Sequence, residues 1–138
     1  MSLTAKEIEE IIRTGVPAAG ETGLRIDEAT ADGVVARYPF SPSMVRPGGT
    51  LSGPTMMGLA DAAMYAAIMA RLGRVEMAVT SNLNINFLSR PGQSDLVARA
   101  RVLRLGSRLA FLEVELYSDG SSDMVAHVTG SYALPSTR

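Results

Sequence analysis

The sequence predicts an α+β fold: an antiparallel β-sheet wrapped around one long central helix. Three observations carry that expectation. Residues 54–70 are small or apolar on every helical face, and Asp61 is their one charged side chain. A segment apolar all round is a buried helix. Two strand-like runs precede it and four follow, the last three joined by short Gly-containing turns of hairpin kind. A sheet of that order hides such a helix by wrapping it.

Residues 1–13 read as a short amphipathic helix, periodic from Thr4. Ile8, Ile11 and Ile12 share one face, and Thr4 and Glu7 are spaced as a capping box. Gly15, Pro17, Gly20 and Gly23 break the pattern and read as a loop. Residues 24–30 and 34–40 are strand-like and meet at Asp32-Gly33, a hairpin signal. Residues 41–53, with two prolines and three glycines, form a loop. The long helix follows. Ser52 or Gly53 caps it, Pro54 fits its first turn, Arg71 its last, and Gly73 stops it. Residues 77–88 form a strand with Asn82, Asn84 and Asn86 on one face, ended by Arg90-Pro91-Gly92. Residues 96–105, 109–117 and 124–134 are three long strands.

The 138 residues are expected to form one domain, 1–138, in which 1–20 are an N-terminal helix and loop. Hydrophobic content of 46% and charged content of 20% suit a globular chain. A net charge of −1 argues against nucleic acid or an anionic membrane as partner. With no cysteine, disulfides, thiolate nucleophiles and cysteine metal sites are excluded. One histidine, His127, gives little basis for a zinc site, and no Gly-x-Ser-x-Gly elbow accompanies it. The apolar helix is about 17 residues, carries Asp61, and falls short of the roughly 20 residues of a membrane span. No signal sequence is read at the N-terminus, so a cytoplasmic location is expected. A sheet with open edges and an uncovered face predicts a homo-oligomer, a dimer or a dimer of dimers.

Asp61 carries the chemistry. Its helical neighbours at three and four positions, Met57, Gly58, Met64 and Tyr65, include no cation. An unpaired carboxylate among apolar residues is expensive. It therefore finds a partner from a distant part of the fold or does chemistry. Read on isolation alone, a structural and a functional role stand level.

The segment Gly49-x-x-Ser52-Gly53-Pro54-x-x-x-x-Leu59-Ala60-Asp61-x-Ala63 resembles the phenylacetate-type (PaaI-like) acyl-CoA thioesterases of the hotdog fold. So do Thr80-x-Asn82-Leu83-Asn84-Ile85-Asn86-Phe87-Leu88, Arg90-Pro91-Gly92 and Arg104-Leu105-Gly106-Ser107-Arg108. The resemblance covers residues 24–134. It implies hydrolysis of acyl-CoA thioesters to free acid and coenzyme A, with coenzyme A as part of the substrate and no metal or prosthetic group. It implies Asp61 as nucleophile or as general base for water, and the Gly53 N–H, at the helix start, as the group polarising the thioester carbonyl. Thr80 falls where some relatives hold the attacking water, although most such residues are plain strand positions. Three departures stand out. Ser52 replaces the family's His and is expected to bind substrate, Arg46 replaces its Asn, and Pro54 its second Gly.

Asp61 lies roughly 10 Å along its helix from the start, so it does not face its own Gly53 amide. The family's arrangement pairs the carboxylate of one subunit with the amide of the other. Arg46 either offsets the charge on Asp61 or binds an acidic acyl group. Arg90, Arg104 and Arg108 are surface charges that together suit the phosphates of coenzyme A. Asn82 belongs to a solvated or inter-subunit face; the resemblance implies that this strand lies at the dimer contact, where Asn82 is expected to bind substrate. The other reading is a non-catalytic acyl-CoA binding or sensing protein of the same fold.

Overall fold

The computed structural model describes residues 2–136. Met1, the first residue of the predicted N-terminal helix, lies outside them. Helix α1 spans Ala5–Gly15 and opens on the predicted capping box. Thr4 Oγ1 accepts the Glu7 N–H at 3.1 Å, and Glu7 Oε1 accepts the Thr4 N–H at 2.9 Å. Ile8 and Ile12 point into the core.

The stretch read as a loop is instead a second helix, α2, Pro17–Thr22. Proline at its first turn is already bent for a helix. Gly23, at φ 75°, closes it in the left-handed conformation. Of the breakers in the sequence, Pro17 opens this helix, Gly23 ends it, and Gly20 lies within it.

Strands β1 (Arg25–Thr30) and β2 (Gly33–Tyr38) form the predicted hairpin, and Pro42–Met44 make a 3-10 turn in the following loop. Helix α3 spans Gly53–Leu72. Strands β3 (Val79–Phe87), β4 (Leu96–Leu105), β5 (Leu109–Ser118) and β6 (Met124–Ala133) follow. All pairings are antiparallel, and the strand order is β1-β2-β4-β5-β6-β3. This is the hotdog architecture, α+β, with the sheet curved around α3. The core lies between them: Met64 and Ile68 of α3 against Leu112, Val114 and Leu116 of β5 and Ala126 and Val128 of β6.

The helix is not buried on all sides, contrary to the sequence reading. Pro54, Met57 and Gly58 are exposed, and Asp61, Ala62 and Tyr65 are half-exposed. These positions recur every three or four residues and form one stripe. One sheet covers only one side of a cylinder. The small apolar residues on the far side are thus free to meet a ligand or a second chain.

The outer face of the sheet carries the charges. Arg101 binds Glu113 Oε1 at 2.7 Å, and His127 Nε2 lies 2.8 Å from Glu113 Oε2. His127 first and Arg101 second hold the Glu113 carboxyl below its usual range. A carboxylate held low adds stability above its unfolded pKa and loses it as pH falls through the folded value. Glu113→Gln is therefore expected to cost less than about 1 kcal/mol near pH 7, because the pair is solvent-screened. Urea unfolding should show that difference vanish as pH falls below the carboxylate range. A difference that persists in acid would mean the loss is one of packing.

Candidate active site

Helix α3 starts at Ser52, whose Oγ accepts the Thr55 N–H at 3.3 Å and lies 2.8 Å from Thr55 Oγ1. Ser52 is thus a helix cap, with its hydroxyl engaged in that role. The Gly53 N–H has no acceptor among the described residues. A Cβ at Gly53 would sit 3.3 Å from Phe87 Cζ, so the ring of Phe87 lies against the helix start.

Two turns further on, Asp61 meets two hydroxyls. Thr80 Oγ1 donates to Asp61 Oδ1 at 2.7 Å. Tyr132 Oη donates to the same oxygen at 2.7 Å, and lies 3.0 Å from the Asp61 carbonyl oxygen. Oδ2 accepts no hydrogen bond among the described residues. One carboxylate oxygen is anchored, and the other is left for a ligand. Burial, and then the charge of Asp61, raise the pKa of the Tyr132 phenol. It stays protonated and donates.

Tyr132 was not read from the sequence. The signal was there, in that Tyr132 alternates with Gly130 and Val128 on the inward face of the last strand. A buried phenol needs an acceptor, and Asp61 needed a donor. Removing the hydroxyl leaves the carboxylate free to turn. Tyr132→Phe is expected to lower kcat roughly tenfold or more, since small displacements of a reacting group are costly. It should also lower stability by about 1 kcal/mol. Steady-state kinetics and a melting curve check both, and an unchanged kcat would remove Tyr132 from the positioning of Asp61.

Asp61 lines a cleft of about 570 Å³ between α3, β3 and the two N-terminal helices. A hollow of about 580 Å³ on the outer face surrounds Arg37. There the polar groups satisfy one another: Arg37 binds Asp27 at 2.8 Å, Asp95 at 3.1 Å and Asp119 at 3.2 Å.

The other residues singled out in the sequence lie apart. Arg46 is exposed in the turn before α3 and donates to the Pro47 carbonyl at 3.0 Å. It forms no ion pair with Asp61 within the chain. Asn82 is exposed beside a bulge in β3, across from Ser131. Arg108 precedes β5 and Arg104 is near the end of β4, so both sit where β3 begins. Arg90 follows β3 and lies at the opposite end of the sheet. A single chain does not gather the three arginines. His127 faces outward, away from Asp61.

This fold agrees with what the chain matches. The family model of the thioesterase superfamily matches residues 48–125. A crystal structure of a candidate thioesterase from a Silicibacter species superposes with a TM-score of 0.85. It is 34% identical and covers 95% of this chain and 91% of its own. The zebra fish thioesterase superfamily member 2, 24% identical, has a TM-score of 0.84 over 97% of this chain and 100% of its own, a likeness of fold. A candidate esterase of Saccharolobus solfataricus is 30% identical over 71% of this chain and 64% of its own length, so the match spans less than two thirds of that relative. The chain belongs to the thioesterase superfamily.

Proposed function

We propose that the protein hydrolyses acyl-CoA thioesters to free acid and coenzyme A, as a phenylacetate-type thioesterase. The observation that carries this reading is the Asp61 carboxylate, fixed through Oδ1 by Thr80 and Tyr132 and open at Oδ2 on the cleft. A carboxylate so held can take a proton from water as the water oxygen attacks the thioester carbon. Negative charge then develops on the former carbonyl oxygen. The C–S bond breaks next, the thiolate takes a proton, and acid and thiol leave. Direct attack by the carboxylate, giving an anhydride that water opens, uses the same atoms.

The developing oxyanion needs a donor, and the free Gly53 N–H at a helix start suits it. Symmetry supplies the encounter. Strand β3 pairs with β6 on one side only, so its other edge is open. Two copies joined along that edge about a two-fold axis run antiparallel. A pairing centred on Leu83, the middle of β3, sets Val79 opposite Phe87 and Thr80 opposite Asn86. Gly53 lies against Phe87, and Asp61 is bonded to Thr80. The amide of one subunit thus approaches the carboxylate of the other. The same operation carries Arg90 of one subunit to the end bearing Arg104 and Arg108 of the other, a basic cluster suited to the phosphates of coenzyme A.

Thiol release from a panel of aromatic and aliphatic acyl-CoA esters tests the reading. Turnover of several of them is expected. Binding of every ester without turnover would favour a sensor of the same fold.

A further inference from the structure

We propose that the acyl group this cleft takes is uncharged and apolar at its far end, and that Gly58 and the joint between α1 and α2 set its length. The inference rests on the hydrolytic reading above and names the substrate class of that site. Two carboxylates, Asp61 and Glu76, line the cleft, and among the described residues no Lys, Arg or His does. A terminal carboxylate on the acyl group would lie near like charge with no cation of the same subunit to meet it. Arg74 borders only the adjoining hollow, and Glu76 already binds it at 2.8 and 3.2 Å.

The walls fit carbon. Ile12, Val16, Ala18 and Ala19 of the N-terminal helices face the α3 stripe across the cleft. Val16 is a large apolar side chain left 41% exposed at the joint of the two helices. These residues precede the 48–125 family match, so a part of the chain outside that match shapes this wall. Beside Asp61 the rings of Tyr65 and Tyr132 stack, with centroids 5.9 Å apart and planes 13° apart. They offer a flat surface to an aryl ring or an extended alkyl chain.

Gly58, one turn before Asp61, is exposed and lines the same cleft. A Cβ there would stand 3.2 Å from Tyr38 Oη. A side chain at 58 therefore narrows the passage between α3 and Tyr38, and a glycine keeps it open.

The test compares hexanoyl-CoA with adipoyl-CoA, equal in carbon number and different in the terminal carboxylate, and acetyl-CoA as the short reference. Wild type is expected to show kcat/KM at least about tenfold higher for hexanoyl than for adipoyl. Gly58→Val should lower the hexanoyl-to-acetyl ratio by about tenfold, and Gly58→Ala should shift it the same way, since each buried methylene carries roughly a fourfold preference. Val16→Arg should narrow the gap between hexanoyl and adipoyl. Equal kcat/KM for the two six-carbon esters, or folded Gly58 variants with an unchanged chain-length profile, would overturn the proposal and leave hydrolysis standing. Binding of the non-hydrolysable thioethers S-hexyl-CoA and S-(5-carboxypentyl)-CoA separates the two failures. Tighter binding of the neutral thioether, with no ester turned over, would support the cleft proposal and sink the hydrolytic reading. Equal binding of both, or binding of neither, would sink the cleft proposal.

Discussion

Asp61→Asn is expected to lower kcat for thioester hydrolysis by roughly a thousandfold, the scale of losing a positioned base or nucleophile. The substitution is nearly isosteric. The amide oxygen can still accept from Thr80 and Tyr132, whose hydroxyls lie 2.7 Å from Asp61 Oδ1. The fold should therefore hold, and a melting curve should show it. What is lost is the negative charge and the second oxygen that accepts a proton. KM should change little, because an uncharged acyl group gains nothing from the carboxylate in the ground state. Thiol release under saturating ester, beside the wild type, reads the effect. A variant with kcat within a few-fold of wild type would place the chemistry elsewhere.

Gly53→Pro is expected to lower kcat by roughly a hundredfold to a thousandfold, the effect of removing one oxyanion donor. Proline has no N–H to give. The backbone around it is receptive, because Ser52 is extended at φ −76° and ψ 155°, the conformation a residue before proline adopts. The Pro-Pro pair made with Pro54 strains position 53, so the melting temperature belongs in the comparison. Gly53→Ala is the control. It places the same Cβ against Phe87, whose Cζ would be 3.3 Å away and whose exposed ring can shift. It keeps the N–H. Proline should be far worse than alanine at equal foldedness. Equal losses in the two would mean that the Cβ, rather than the amide, is what matters.

The long helix was legible because nothing in 54–70 except Asp61 interrupts its apolar character, and Gly73 ends it sharply. The strands were legible from alternation, with ends that moved by a residue or two. Helix α2 was hidden because Pro17, Gly20 and Gly23 read as breakers, while only the last marks its end, by a left-handed φ of 75°. The open stripe of α3 was hidden for a different reason. Composition shows how apolar a helix is, and only the sheet's reach decides how much of it is covered. At the site, Asp61 stood out by charge, and Thr80 was reached through family resemblance. Tyr132 lies 71 residues away in sequence, and its contact exists only once β6 is laid against α3. Arg90, Arg104 and Arg108 looked like one cluster along the sequence, yet strand direction places Arg90 at the far end of its own sheet. The departure at Ser52 also gained a physical account, since its hydroxyl caps α3.

A working site is expected to take its carboxylate from one subunit and its amide from another. The direct test is a mixed oligomer of Asp61→Asn and Gly53→Pro subunits, co-expressed with two different tags and purified through both. Each parent alone should be nearly inactive. In the mixed pair, one site joins the intact Asp61 of one subunit to the intact Gly53 of the other, and the second site has neither. Recovery to about a quarter to a half of wild-type turnover is the predicted result. Activity no higher than the mean of the two parents, from an oligomer shown to contain both subunits, would mean that Asp61 and the Gly53 amide do not meet across the interface.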